Sequence, residues 1–226
     1  MKLVIFGATG SVGRHLVGQA LAAGHQVSAF ARSPQKLDMD HPNLTLVAGD
    51  VMDREAVSAA VMASDAVLVT LGSKKLTGFL RSRGTLHIVE AMQKHGVKRL
   101  VCQTTLGIGD SYGNLDFFWK YVMFGTILRA VFKDHGVQEG IVQQSGLDWV
   151  IVRPAAFTDG AAQGLYKHGF GANEANLSLK ISRADIANFM LGQISDDRYL
   201  HQTPGLSDAR MQPKPLADHA TPQVHA

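Results

Sequence analysis

Short apolar runs and amphipathic stretches alternate along most of the chain. Lys2–Phe6, Gln26–Ala31, Leu44–Val47, Ala66–Thr70, Arg99–Gln103 and Trp149–Val152 read as strands, several of them β-branched and apolar throughout. Between them, Val12–Ala23, Arg54–Met62, Gly84–His95 and Gly136–Ser145 carry apolar residues at helical spacing. Ser33-Pro34 and Asp53 look like helix starts, and Gly24 and Gly96 like helix stops. Strand and helix in alternation predict an α/β fold: a single-domain, Rossmann-like, doubly wound parallel sheet with a small C-terminal extension on the substrate side.

One stretch breaks the alternation. Leu115–Phe132 is helical in pattern and unusually aromatic, with Phe117, Phe118, Trp119, Tyr121, Phe124 and Phe132, and it follows the Gly-rich segment Leu106–Asn114. Its place beyond the end of the fifth strand, where open α/β sheets bind ligands, makes it a wall or lid of a substrate pocket; plain core is the alternative. From Gln212 to Ala226 prolines and histidines replace apolar residues. The expected organisation is therefore a domain over 1–206, its substrate side built from 104–135 and 153–206, and a solvated tail over 207–226.

Length and composition narrow the class further. At 226 residues and 24.3 kDa the chain suits one α/β domain with a substantial core. No apolar run reaches the ~18 residues of a membrane span, and the first strand is too short for a signal sequence. The single cysteine, Cys102, has no partner for an internal disulfide, so a cytoplasmic location is expected. The pI near 9.0 comes with a net charge of only +3 and scattered basic residues, which argues against nucleic acid and fits an anionic small molecule.

The chemistry begins at Gly7-Ala8-Thr9-Gly10-Ser11-Val12-Gly13, three glycines at spacings of three between a strand and a helix. Gly7 permits the turn, Gly10 lets backbone N–H groups approach phosphates, and Gly13 lets helix and strand pack closely. Thr9, Ser11 and Val12 complete a pyrophosphate cradle at a helix N-terminus. The spacing resembles that of the atypical and extended short-chain dehydrogenase/reductases.

An NAD-binding chain usually places an acid about 20 residues beyond the glycines to hold the ribose 2′-hydroxyl. Here the second strand ends Ala31-Arg32-Ser33, and the nearest acid, Asp38, falls inside the expected helix. Arg32 and Ser33 can hold a 2′-phosphate, which points to NADP(H). Asp50 and Val51 match a pair that flanks the adenine in the resembling families; helix capping is the other reading of Asp50. Leu71 and Gly72, in the run closing at Ser73, lie where the chain passes the phosphates and ribose. Pro154 and Ala155, after Arg153, are placed against the nicotinamide.

The Tyr-x-x-x-Lys pair of ordinary short-chain dehydrogenases is missing. Four residues after Tyr112, Tyr121, Tyr166 and Tyr199 stand Asp116, Gly125, Phe170 and Thr203. Gly109-Asp110-Ser111-Tyr112-Gly113 has the spacing of a hydrolase nucleophile elbow but does not directly follow a strand. The ten histidines contain no H-E-x-x-H, so no metal is expected.

In the C-terminal half, Lys133-Asp134-His135-x-x-x-Glu139, the run Ser145-Gly146-Leu147-Asp148-Trp149 and Arg153-Pro154 resemble the biliverdin-IXβ reductase/flavin reductase branch of the atypical short-chain dehydrogenases, and the wider NmrA-like group. That resemblance implies hydride transfer to a planar acceptor such as a flavin or quinone, with the proton drawn from solvent. Its implied reaction-side residues are Thr104 and Thr105, which can hydrogen-bond nicotinamide or substrate, and His135, a proton donor or merely a helix-cap histidine. Leu106–Phe132 is longer and more aromatic than the corresponding reductase loop, and Ala155-Ala156-Phe157 replaces that family's pocket lining, which argues against a tetrapyrrole. Ser182-Arg183-Ala184-Asp185 resembles the family's late helix, with structural roles for Arg183 and Asp185. The competing class is a non-catalytic NADP(H)-binding sensor, whose aromatic segment would meet a protein partner or a second subunit. Monomer and homodimer both remain open.

Overall fold

The structure is a computed structural model that describes residues 1–72, 78–174 and 176–209. Ser73 and the segment from Arg210 onward, including Gln212–Ala226, lie outside the described residues.

Six parallel strands form the body of the sheet: β1 (Lys2–Phe6), β2 (Gln26–Ala31), β3 (Leu44–Ala48), β4 (Ala66–Val69), β5 (Arg99–Gln103) and β6 (Asp148–Pro154). They stand in the order β3-β2-β1-β4-β5-β6, and the sheet is extended by β10 (Gly205–Asp208), parallel to β6, and β8 (Tyr166–His168), antiparallel to β10. β10 runs two residues past the expected domain boundary at 206. The strand order reverses between β1 and β4, which opens the crevice used for ligands in doubly wound sheets.

Alternation along β1 explains the two-sided core. Leu3 and Ile5 face α1 (Gly13–Ala22) and α5 (Arg183–Gly192), packing on Leu16, Val17, Ala20 and Ile186. Val4 and Phe6 face the opposite layer of α2 (Arg54–Val61), α3 (Leu80–His95) and α4 (Arg129–Gln143), against Val57, Ile88 and Met92. The inner strands β1, β4, β5 and β6 are buried on both faces, which is why these runs are continuously apolar, whereas the edge strand β3 is half-exposed.

Several boundaries differ from expectation. Ser33-Pro34 opens only one 3₁₀ turn, Pro34–Leu37, and Asp38 follows it at φ 51°, so Asp38 is outside any helix. α3 begins at Leu80 rather than Gly84, and α4 at Arg129 rather than Gly136, because tertiary partners hold their first turns. Leu115–Phe132 is not one α-helix. Phe118–Ile127 is a π-helix, closed by the Leu128 N–H donating to the Met123 carbonyl at 2.7 Å, and α4 starts directly after it. A small parallel pair, β7 (Ala156–Thr158) with β9 (Lys180–Ser182), lies beside the cleft and leads into α5.

Candidate functional site

A cleft of about 780 Å³ runs from the glycine turn, past the ends of β2, β4 and β5, to the inner face of the π-helix. At its first end Gly7 sits at φ +83°, and a Cβ there would lie 2.5 Å from the Thr70 carbonyl oxygen. A Cβ on Gly13 would lie 2.2 Å from the Gly7 carbonyl oxygen, so Gly13 serves turn-to-helix approach and does not itself line the cleft. The turn is closed by the Gly10 N–H donating to Gly7 at 2.8 Å.

Helix α1 then starts without a capping side chain, and its first turn holds no acid. Among the described residues the N–H groups of Ser11, Val12 and Gly13 meet no protein acceptor. Unpaired donors at the positive end of a helix, facing a cleft, fit a pyrophosphate. The residues present therefore suit a dinucleotide.

Beyond the turn lie Thr9, Arg32, Asp50, Val51, Leu71 and Gly72. The Arg32 side chain is exposed at the end of β2 and has no ion-pair partner among the described residues. Ser33 stays outside the cleft lining. Asp50 is the only acid along the wall among the described residues; its carboxylate accepts the Met52 N–H at 3.0 Å. It is not a helix cap. That role falls to Asp53, which accepts from Glu55 and Ala56.

The other end is built by β5, β6 and α4. Thr104, Thr105, His135, Pro154 and Ala155 all border the cleft. No tyrosine does, among the described residues. The Thr104 hydroxyl donates to Glu139 at 2.7 Å, so only its lone pairs are left for a ligand. Arg153 turns away from the cleft into a buried fork: Nε and Nη2 donate to the two Glu139 oxygens at 3.0 and 2.7 Å, and Nη1 reaches Asp110. This locks β6, α4 and the loop after β5 together.

Along α4, Asp134, His135, Gln138 and Glu139 are all buried. Asp134 accepts from the Arg81 and Ser82 N–H groups at 3.1 and 3.0 Å and from the Ser82 hydroxyl at 2.6 Å, capping α3 from outside its own chain segment. Gln138 donates to Thr85 and to the Cys102 sulfur, leaving its oxygen to accept from His135 Nδ1 at 2.9 Å. That fixes the neutral tautomer with the proton on Nδ1. Burial, reinforced by the charge of Arg81, pushes the His135 pKa down to about 4. A proton donor at neutral pH needs a ring that titrates near 7, and this site does not confer one. Burial and the Glu139 charge push the Cys102 thiol well up, so it is inert.

Ser111, inside the elbow-like motif, sits in a short 3₁₀ helix, Gly109–Asn114, accepts from Gly107 N–H and donates to the Ile108 carbonyl. It is a structural serine. Asp185 is likewise structural: it caps with Ser182 and accepts from Gln163 and Gly164.

The remaining wall is apolar: Leu106, Leu115, Trp119, Phe124, Leu128 and Phe157. Phe124 stacks on Phe132 at 4.5 Å and touches Trp119 at 5.6 Å. Arg81 also lines the cleft and had no signal in the sequence, because it lies between expected elements rather than in a motif.

A family model described as NAD(P)H-binding matches residues 7–197. The chain is 37% identical over 118 residues to a 3-diazoavenalumate denitrifying reductase from Streptomyces, covering 46% of this chain and 38% of that protein. It spans about a third of the length of curated relatives such as this one and a 3-beta-hydroxysteroid dehydrogenase from Mycolicibacterium neoaurum. Among solved structures it is similar to ChuY, titled an anaerobilin reductase, from Escherichia coli O157:H7: TM-score 0.77, 26% identity, 95% of this chain and 100% of that one. A short-chain dehydrogenase/reductase from Veillonella parvula in complex with NADP shares the fold, with TM-score 0.79 at 15% identity, over 93% of this chain and 95% of that one.

Proposed function

Because the chain belongs to the NAD(P)H-binding family, we propose that it is an NADP(H)-dependent reductase that passes hydride to a flat, conjugated small molecule such as a flavin or quinone. The observation that carries this reading is the single continuous cleft, with a phosphate cradle at one end and aromatic walls at the other. Bound NADPH supplies the hydride.

The chain's own residues do the rest. The α1 amides hold the pyrophosphate, and Arg32, without an ion-pair partner among the described residues and always charged, straddles the 2′-phosphate. Trp119, Phe124 and Leu128 hold a planar acceptor by apolar contact and keep water from its outer face. His135 is neutral and donates its one N–H to Gln138, so the acceptor takes its proton from water reaching the cleft mouth. The reductases among the relatives support the reaction class.

Stopped-flow mixing of the protein and NADPH with FMN, FAD, menadione and biliverdin tests the reading through loss of NADPH absorbance. Oxidation by at least one flat acceptor, faster than with NADH, is the expected outcome. Tight NADPH binding with no oxidation by any of the four would overturn it in favour of a redox sensor.

A further inference from the structure

The π-helix is apolar on both faces, and the fold covers only one of them. Trp119, Phe124 and Leu128 line the cleft, while Phe118, Tyr121 and Ile127, with Phe117 just before the helix, are each more than half exposed. The Phe117 and Tyr121 rings lie 4.9 Å apart, and Val122 is exposed beside Tyr121 in the chain, so these side chains form a patch rather than scattered points. A helix that is hydrophobic all round belongs against protein or lipid on every side, and a contiguous exposed apolar patch marks a docking face.

The charges nearby decide what docks. Lys120, Arg129 and Lys133 stand within and just after this stretch, and none of the three forms an ion pair among the described residues. Lys120 holds its ammonium over the exposed Tyr112 ring, 5.4 Å from its centre. The acids around them are engaged. Asp110 pairs with Arg153, Asp116 accepts the Trp119 N–H at 2.9 Å, and Asp134 is buried against the start of α3. Glu174, in the segment that Asn114 grips, pairs with Lys167. Aromatic and aliphatic side chains accompanied by unpaired cations fit a bilayer with anionic headgroups, whose phosphates take the cations while the rings sink to the acyl boundary. A second copy of this face, brought up by a two-fold axis, would instead set three cations against three cations with every neighbouring acid already engaged.

We propose that the outer face of the π-helix docks this protein on an anionic lipid bilayer. Phe117, Tyr121 and Ile127 enter the interface, and Lys120, Arg129 and Lys133 contact lipid phosphates. The contact is peripheral, since no helix among the described residues is long and apolar enough to cross a membrane. Because the opposite face of the same helix walls the cleft, docking lays the apolar end of the cleft one helix away from the lipid. The docking face stands independently of the reductase reading.

Co-sedimentation with vesicles of phosphatidylcholine alone, and of phosphatidylcholine with about a third phosphatidylglycerol, is the test. The unmutated protein is expected to bind the anionic vesicles at least ~10-fold tighter than the neutral ones, with the difference shrinking as salt is added. Phe117→Ser with Ile127→Ser is expected to weaken binding to anionic vesicles at least ~10-fold, and Arg129→Gln with Lys133→Gln to bring the ratio between the two vesicle types below ~3-fold. None of these four residues lines the cleft, so NADPH affinity stays the same in both double variants and reports that they are folded. If the apolar pair is unstable, the charge pair decides alone. Failure to bind anionic vesicles, equal binding to the two vesicle types, or binding that either double variant leaves unchanged overturns the proposal. Sedimentation velocity without vesicles covers the other occupant: a dimer that Phe117→Ser with Ile127→Ser dissociates would give this face to a second copy and overturn it as well.

Discussion

His135 is a histidine that folding keeps uncharged. Unfolded, its ring titrates near 6.5; folded, near 4, chiefly because it is buried. Between those values the unfolded chain binds the extra proton, so stability is lost as pH falls from about 6.5 toward 4 and is unaffected above that window. The loss from this one group is on the order of 3 kcal/mol at the lower end. His135→Asn should therefore flatten the pH dependence: urea midpoints at pH 7 and pH 4.5 should differ less than in the unmodified chain, and an equal difference would contradict the assignment. At this scale legibility followed sequence distance. The glycine turn and Arg32 could be read because their chemistry is local to one strand end. The Arg153–Glu139 fork and the Asp134 cap could not, since each depends on a partner brought in by the fold, Asp134 reaching back to Arg81 and Ser82. The stretch Asp134–Glu139 in the middle of α4 was read through a family likeness, with His135 on the reaction side; most of it is spent on holding α3, β5 and β6 in place.

The π-helix shows the same limit for whole elements. Trp119, Phe124 and Leu128 share its inner face at spacings of five and four, and Phe118, Val122 and Ile127 its outer face at four and five. A search for a 3.6-residue period smears both faces into one apolar segment, so wall and core could not be separated from the pattern alone. The inner ring is packed: Phe124 is 8% exposed, against 73% for Phe117. Phe124→Ala should cost roughly 2–3 kcal/mol, below the value for a wholly enclosed phenylalanine because one side borders the open cleft. Phe117→Ser should change stability by less than ~0.5 kcal/mol. Urea denaturation of both variants checks the pair, and similar losses would mean the outer face is covered as well. The inner strands were legible because neighbours on both faces enforce their burial, and α1–α3 because each buries one regularly spaced face against the sheet. β7 to β10 are three or four residues each, too short for any period to register.

At the scale of the molecule, the sheet order sets what a ligand can do to stability. The cleft is assembled from β1, β2, β4, β5, β6, α3, α4 and the π-helix, so a dinucleotide lying along it bridges most of the fold and binds only the folded chain. Mass action then gives ~2.7 kcal/mol of stabilisation at 100 times the dissociation constant, which for a domain of this size raises the melting temperature by roughly 5–10 °C. NADPH at a fixed concentration should produce the larger rise and NADH the smaller, because only the former offers Arg32 a phosphate. In Arg32→Ala the two shifts should converge on the NADH value, while the unliganded melting temperature stays within ~1 °C, since Arg32 is exposed and supports nothing else in the fold. Differential scanning fluorimetry with both nucleotides measures all four quantities. Convergence on the NADPH value instead, or equal shifts before mutation, would move the basis of cofactor choice away from the end of β2.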